Sequence, residues 1–482
     1  MKKLLIALLL LIAMVMNVLL MTGCDILGSG DGTEEDEWNN EEVEGKINIT
    51  FYHTMGANLR TVLNDYLAKF EALYPNIHVM HEQVGSYDDV RTQIATELTV
   101  GGGPNIAYCY PDHVALYNVA KAVKTLDELI EGGQATTKAG EMADGTIATL
   151  GLTAEQKADF IEGYYNEGKQ FGDGKMYSLP FSKSTEVLYY NKTFFDTHGL
   201  KVPTTWDEME ATCAAILAID NNCTPLGYDS ESNWFITMCE QLGTDYTSAE
   251  NGGEFLFDND ENKAFVKKFM DWYNKGYVTT QELYGAYTSG LFTADASQEN
   301  SYMSIGSSAG ATHQRPKKND AGEYPFEVGI APIPQFDVDN PKVISQGPSV
   351  CIFGDTDEKV EASWLLVKYL TTTAAFQADF SAASGYVPVI KSVADDEIYQ
   401  EFVAGADGYD GIAALSAKVC LEQEKAYYAS PAFNGSSAAR DQVGALLQAC
   451  FKIKAEDGDV DAQMDALFKA AIDECKYQSG KK

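Results

Sequence analysis

Apolar positions in this chain recur in two rhythms. Residues 46–52, 77–83 and 106–110 are short apolar runs that read as strands. Between the first two, Leu59, Val62, Leu63, Tyr66, Leu67, Phe70 and Tyr74 fall at helical spacing and make one apolar face, which Pro75 ends. A second helix is predicted over about 90–99. Gly101-Gly102-Gly103-Pro104 forms the loop before the third strand. Strands alternating with helices imply a parallel α/β layer.

The pattern is densest at residues 173–209. Residues 185–190 predict a strand rich in β-branched and aromatic side chains. Asn191-Lys192 turns the chain, 194–198 make one helical turn, and Gly199 ends it. Thr205 is a good N-cap for a helix over 206–219, with Glu208 where a capping box needs it. A short strand at 225–228 and a helix over 232–242 carrying Trp234 follow. Phe265, Phe269, Trp272 and Tyr273 recur at helical spacing and read as core. Further strands are predicted at 302–305 and 350–353, with a helix at 360–370.

With 482 residues, the chain suggests two to four domains, and 45% hydrophobic content can bury sizeable cores. The formal charge of −36 argues against nucleic acid, because phosphate contacts need Lys/Arg clusters. So much acid implies a solvated surface.

The front of the chain has its own rhythm. Lys2-Lys3 precede residues 4–21, apolar except for Asn17, and then Thr22-Gly23-Cys24. A basic start, an apolar stretch and small residues mark a secretory signal. The segment before Cys24 resembles a lipobox, with Met21 where Leu, Val or Ile is usual. That resemblance implies that Cys24 is lipidated and becomes the mature N-terminus. An uncleaved membrane anchor is the alternative, since 18 residues just span a bilayer. Either leaves the remainder outside the cytoplasmic membrane. Residues 25–45 hold nine acidic side chains and no basic ones, and predict a disordered tether.

The run YSLPFSKSTEVLYYNKTFF, followed by GL and PTTWDEM, resembles the central signature of family 1 extracellular solute-binding proteins. These are the substrate receptors of ABC importers and include maltose- and glycerol-phosphate-binding proteins. The resemblance spans about 46–482 and is also close at Gly385-Tyr386-Val387-Pro388. It implies an α/β, two-lobe, periplasmic-binding-protein type II-like fold, with a hinge of crossing strands and a ligand cleft between the lobes. The expected division is a signal peptide at 1–23, lipidated Cys24 and the tether at 24–45, a first lobe from 46–184 and 329–374, and a second lobe from 185–328 and 375–482. Residues 326–334 (FEVGIAPIP) resemble the second crossing, and a third is expected soon after the helix at 360–370.

Ligands of open α/β sheets bind beyond the carboxyl ends of strands. This singles out His53-Thr54, Ser86-Tyr87 and Pro111-Asp112, and the resemblance favours Tyr87 and Asp112. It further implies cleft positions for Ser184, Trp234, Ser308, Gly347 and Tyr386. Aromatic faces would stack on sugar rings, and Asp112 and the serines would bond hydroxyls. The glycerol-phosphate branch has an arginine near the position of Ala432, whereas this chain has Arg440 eight residues on. A buried phosphate wants a bidentate arginine, which shifts the expectation toward a neutral sugar or oligosaccharide. Glycerol 3-phosphate, its diesters, another polar solute, or ligand sensing for a signalling receptor are the alternatives. The expected partners are that ligand and the membrane permease subunits. The expected state is a monomer with no cofactor, no metal and no catalysis.

Other chemistries fail on context. The triple glycine follows a helix and precedes a strand, the reverse of a phosphate loop. Gly306-Ser307-Ser308-Ala309-Gly310 matches a nucleophile elbow, yet no His follows His313 to complete a triad. The eight cysteines besides Cys24 include no CxxC and no zinc spacing, though Cys213 and Cys223 could close a short loop. The acidic run from Asp457 has Ala462 and Phe468 where an EF-hand needs Gly and Glu.

Overall fold

Hydrogen bonding divides the strands between two sheets. The computed structural model describes residues 38–294, 299–354, 356–405 and 411–481. The expected signal peptide, Cys24 and most of the expected tether lie outside the described residues. Along the chain the strands are β1 (Ile47–His53), β2 (Ile77–Gln83), β3 (Ile106–Cys109), β4 (Ser178–Pro180), β5 (Glu186–Asn191), β6 (Leu226–Tyr228), β7 (Thr247–Ser248), β8 (Glu254–Phe255), β9 (Val278–Thr280), β10 (Met303–Ser307), β11 (Val328–Pro332), β12 (Val343–Ile344), β13 (Ser349–Ile352) and β14 (Tyr427–Tyr428). One five-stranded sheet has the order β2-β1-β3-β13-β4, the other β11-β5-β10-β6-β9. The pairs β7–β8 and β12–β14 stand apart.

In the first sheet β1 runs parallel to β2 and β3, while β13 is antiparallel to β3 and β4. Ile47, Ile49, Phe51 and His53 alternate as the buried positions of β1. Helix Ala57–Leu73 buries Leu63, Tyr66, Leu67 and Phe70, the predicted stripe. The next helix, Tyr87–Leu98, begins three residues earlier than its pattern predicts. Ser86 and Asp89 form a capping box there, so Tyr87 is its first residue. The end of the acidic segment is ordered, contrary to the tether expectation. Asn40 Oδ1 accepts from the His81 N–H at 2.8 Å, and Asn48 Oδ1 from the Val43 N–H at 2.9 Å.

In the second sheet β5 is antiparallel to β10 and β11, and β6 is parallel to β10 and β9. Its core is aromatic: Trp206, Trp234, Phe269 and Trp272 are fully buried together with Phe235 and Phe451. Helix Trp206–Ile219 starts at the predicted capping box, with Glu208 N–H donating to Thr205 Oγ1 at 3.1 Å.

Two boundaries differ from expectation. Residues 326–334 do not cross between lobes. Val328–Pro332 is the edge strand β11, where Val328 joins Val187 and Tyr189 in a buried cluster. Pro332 fits there because an edge strand can lack one ladder donor. The return to the first sheet comes later, between β12 and β13. Residues 375–384 also lie with the first lobe. Helix Ala374–Ser384 packs on Ala57–Leu73, with Tyr66 and Phe376 rings 5.1 Å apart and Tyr66 Oη donating to Asp379 at 2.7 Å. The chain rejoins the second lobe at helix Ile412–Glu422, whose Ile412 and Val419 cover Val187 and Val328. The eight described cysteines are buried free thiols, so Cys213 and Cys223 are unbridged.

The crossing segments are welded to one another. Ser184 and Gln346 exchange two backbone hydrogen bonds of 2.9 and 2.8 Å, and Lys183 and Val387 exchange two of 3.0 and 2.7 Å. Lys183, fully buried, donates from Nζ to Glu167 Oε1 at 2.8 Å, Gly347 O at 3.2 Å and Ser349 Oγ at 3.2 Å. Gly347 has φ +86°, and a Cβ there would lie 2.6 Å from Ser182 O. Only glycine fits so close an approach.

Candidate functional site: an interlobe cleft

Beside these crossings the carboxyl ends of several strands from both sheets, and the amino end of β5, face a shared hollow. Thr54 follows β1, Ser86 and Tyr87 follow β2, and Tyr110 follows β3. From the other lobe come Glu186 at the start of β5, Asp229 and Ser230 after β6, and Ser307 at the end of β10. The cavity measures about 650 Å³. It adjoins a second of about 610 Å³ that shares Tyr87, Tyr110, Asp229, Tyr287 and Arg440. This is the crevice position that open α/β sheets give their ligands.

Four of the seven expected residues meet here: Tyr87, Ser184, Gly347 and Tyr386. The Tyr87 and Tyr386 hydroxyls lie 3.2 Å apart, although 299 residues separate them in sequence. Tyr87 also packs against Tyr110, ring centroids 4.9 Å apart. Ser184 belongs to the hinge, its backbone paired with Gln346.

The other three lie elsewhere. Trp234 is a core residue: its indole is fully buried, stacked on Tyr228 at 4.8 Å and against Phe269 at 4.4 Å. Helix Glu231–Leu242 turns its Asn233 toward the cleft and Trp234 away from it. Ser308 is also fully buried. Its Oγ accepts from the Thr185 N–H at 3.1 Å, and its N–H donates to Thr185 O at 2.7 Å. Ser307, one residue earlier, takes the cleft position. Asp112 lines a small adjoining hollow and accepts from Ser437 Oγ at 2.9 Å. Burial works to raise its carboxyl, but His113, Arg440, Ser437 and Arg91 outweigh it and hold the group below the usual carboxylate range.

Several lining residues escaped the sequence reading. Tyr287, 65% exposed, stands at the rim and supplies the accessible aromatic face that Trp234 does not. It sits in a loop between two short helices, where no periodicity marks it. Arg440 lines both hollows and donates to Asn233 Oδ1. Glu186 is 1% exposed and accepts from Tyr228 Oη at 2.6 Å; burial pushes its carboxyl up to about 7. Asp229 accepts from the Thr288 N–H and hydroxyl at 2.6 and 2.7 Å, and burial raises it as well. The "strand ends" rule could have found Asp229 and Ser230. Nothing in the local pattern marks Glu186 or Arg440.

Two α/β lobes, joined by welded crossings and enclosing a polar, tyrosine-rich cleft, define a hinged ligand receptor. Comparison with known proteins gives the family. The model described as bacterial extracellular solute-binding protein matches residues 65–406, and the chain belongs to that family. Its location is therefore extracytoplasmic. The sn-glycerol-3-phosphate-binding periplasmic protein UgpB of Escherichia coli K12 is 23% identical over 376 residues, covering 75% of this chain and 78% of the relative. Among solved structures, UgpB of Mycobacterium tuberculosis in complex with glycerophosphocholine aligns with a TM-score of 0.68 at 16% identity, covering 90% of this chain and all of that one. The cyclic alpha-maltosyl-1,6-maltose binding protein of Arthrobacter globiformis aligns at 0.65 and 20% identity, with 90% and 100% covered. These likenesses establish the shared two-lobe fold.

Proposed function

We propose that this protein is the substrate receptor of an ABC importer, capturing a sugar or oligosaccharide in the interlobe cleft. The observation that carries this reading is the lining itself. Tyr87, Tyr110, Tyr287 and Tyr386 offer aromatic faces and hydroxyls, interleaved with Ser184, Ser307, Asp229 and Arg440. Such a surface stacks on the C–H face of a sugar ring and bonds its hydroxyls in both directions. Ligand binds best where both lobes touch it, so it shifts the population toward the closed form, which the permease then recognises. No bond is made or broken. The receptor acts as a monomer held at the membrane by a lipid on Cys24. The lobes are the two sheets with their covering helices, exchanging chain at residues 181–185, 345–348 and beyond 385.

A phosphate ester is the second reading, and Arg440 favours it. The sequence argument discounted phosphate because no arginine stands near Ala432, yet Arg440 reaches the cleft from eight residues on. A guanidinium is the group a phosphate would need.

Thermal unfolding against a ligand panel separates these readings. The panel comprises maltose, maltotriose, sn-glycerol 3-phosphate and glycerophosphocholine. A ligand at about 100 times its Kd adds about 2.7 kcal/mol and raises the midpoint. A rise with the sugars supports the first reading. A rise confined to the phosphates, lost in Arg440→Ala, supports the second. No rise with any member refutes both.

A further inference from the structure

The cleft is spanned by direct contacts that use no ligand. Arg91 stands on the first-lobe helix Tyr87–Leu98. Its Nη1 donates to Asp441 Oδ1 at 3.3 Å and its Nη2 pairs with Oδ2 at 3.2 Å, a two-pronged contact. Asp441 belongs to helix Ser436–Phe451 of the second lobe, whose Val443, Leu446 and Leu447 are buried in the aromatic core. Ser437 of the same helix donates to Asp112 in the first lobe. Ser437, Arg440 and Asp441 are three and four residues apart and so share one helix face. The middle one, Arg440, lines the cleft.

We infer that Arg91–Asp441 and Asp112–Ser437 form a latch between the lobes that sets the closed population and holds Arg440 at the cleft. Both contacts bridge the lobes as they stand in this structure. If opening breaks them, as the latch requires, their free energy counts toward the closed form. A bias of that kind alters apparent affinity without touching ligand. Asp441 lines the second hollow of the cleft, whereas Arg91 lines neither. On opening it keeps only Asp88 of its own helix, 3.5 Å away. These are positioning residues, and the consequence for affinity rests on the reading of the cleft as the ligand site.

The test uses charge reversal and its rescue. Arg91→Glu sets like charges across the gap, and Arg91→Glu with Asp441→Arg restores an opposite pair. Small-angle scattering of the ligand-free protein should show a larger radius of gyration in the single variant and the wild-type value in the double. Thermal shift titration with maltotriose and with glycerophosphocholine should give an apparent Kd about 2- to 5-fold weaker in the Arg91→Glu variant, the range that partly exposed ion pairs support. An unchanged radius in a cooperatively folded Arg91→Glu protein, or a double variant whose radius stays at the single variant's value, overturns the latch. If Arg91→Glu fails to fold, Arg91→Gln takes its place with the same criteria. Should neither probe bind wild type, the ligand reading fails while scattering still decides the latch.

Discussion

Replacing Lys183 by methionine removes a cation buried within the hinge. Its ammonium neutralises Glu167, which is 3% exposed, and also satisfies Gly347 O and Ser349 Oγ. Without it, Glu167 keeps only the Ser345 hydroxyl at 3.1 Å. Breaking a buried pair from one side leaves an uncompensated charge and costs about 3–5 kcal/mol. With a urea m-value of about 3 kcal/mol/M, the unfolding midpoint at pH 7 should fall by about 1–1.7 M. Adding Glu167→Gln removes the stranded charge and should recover about half of that loss, since an apolar or neutral replacement of both partners is far cheaper than loss of one. Urea denaturation followed by tryptophan fluorescence measures both variants. A Lys183→Met midpoint within about 0.3 M of wild type, against the ~1 M expected, would refute the reasoning. So would a double variant as weak as the single, because the cost would then not come from the unpaired carboxylate.

Three further outcomes are expected. Glu186, about 7 when folded against an ordinary 4.5, binds more protons folded than unfolded between those values, so stability falls as pH rises through that window. Glu186→Gln removes this slope and should exceed wild type by about 3 kcal/mol at pH 8 and match it at pH 4.5, read from urea curves at both pH values. Gly347→Ala forces a side chain into positive φ and against Ser182 O and the Lys183 Cα, and should cost about 2–4 kcal/mol by the same assay. Trp234→Phe should cost about 1–2 kcal/mol of core packing and leave ligand affinity within about twofold. A large selective loss of binding at unchanged stability would return Trp234 to the cleft.

Much of this architecture is legible in the chain because it is local. The stripe of helix Ala57–Leu73, the capping box at Thr205 and Glu208, and the order of strands and helices all follow from neighbours three or four residues apart. The carboxyl-end rule then turns strand order into candidate positions, and Tyr87 and Thr54, which it singles out, line the hollow between the sheets. Parity is where it falters. Ser307 and Ser308 are adjacent, as are Asn233 and Trp234, and one residue decides which faces the hollow and which faces the core. Propensity does not resolve a single residue of register, because a slip of one turns each side chain to the opposite face.

The remaining features depend on long-range packing. The sequence by itself determined an alternating α/β layer at the front of the chain, the signature strand at 185–190 and the residues that follow the first three strands. Only the tertiary structure decided that Val328–Pro332 is an edge strand rather than a crossing, that helix Ala374–Ser384 rests on the first lobe, and that Asp112 meets Ser437 across 325 residues. It also brought Arg440 to the cleft and Lys183 to Glu167. The physical reason is common to all of them. An amphipathic segment carries its apolar face in its own sequence, but which surface covers that face, and which buried charge finds which partner, is settled only when the whole core packs.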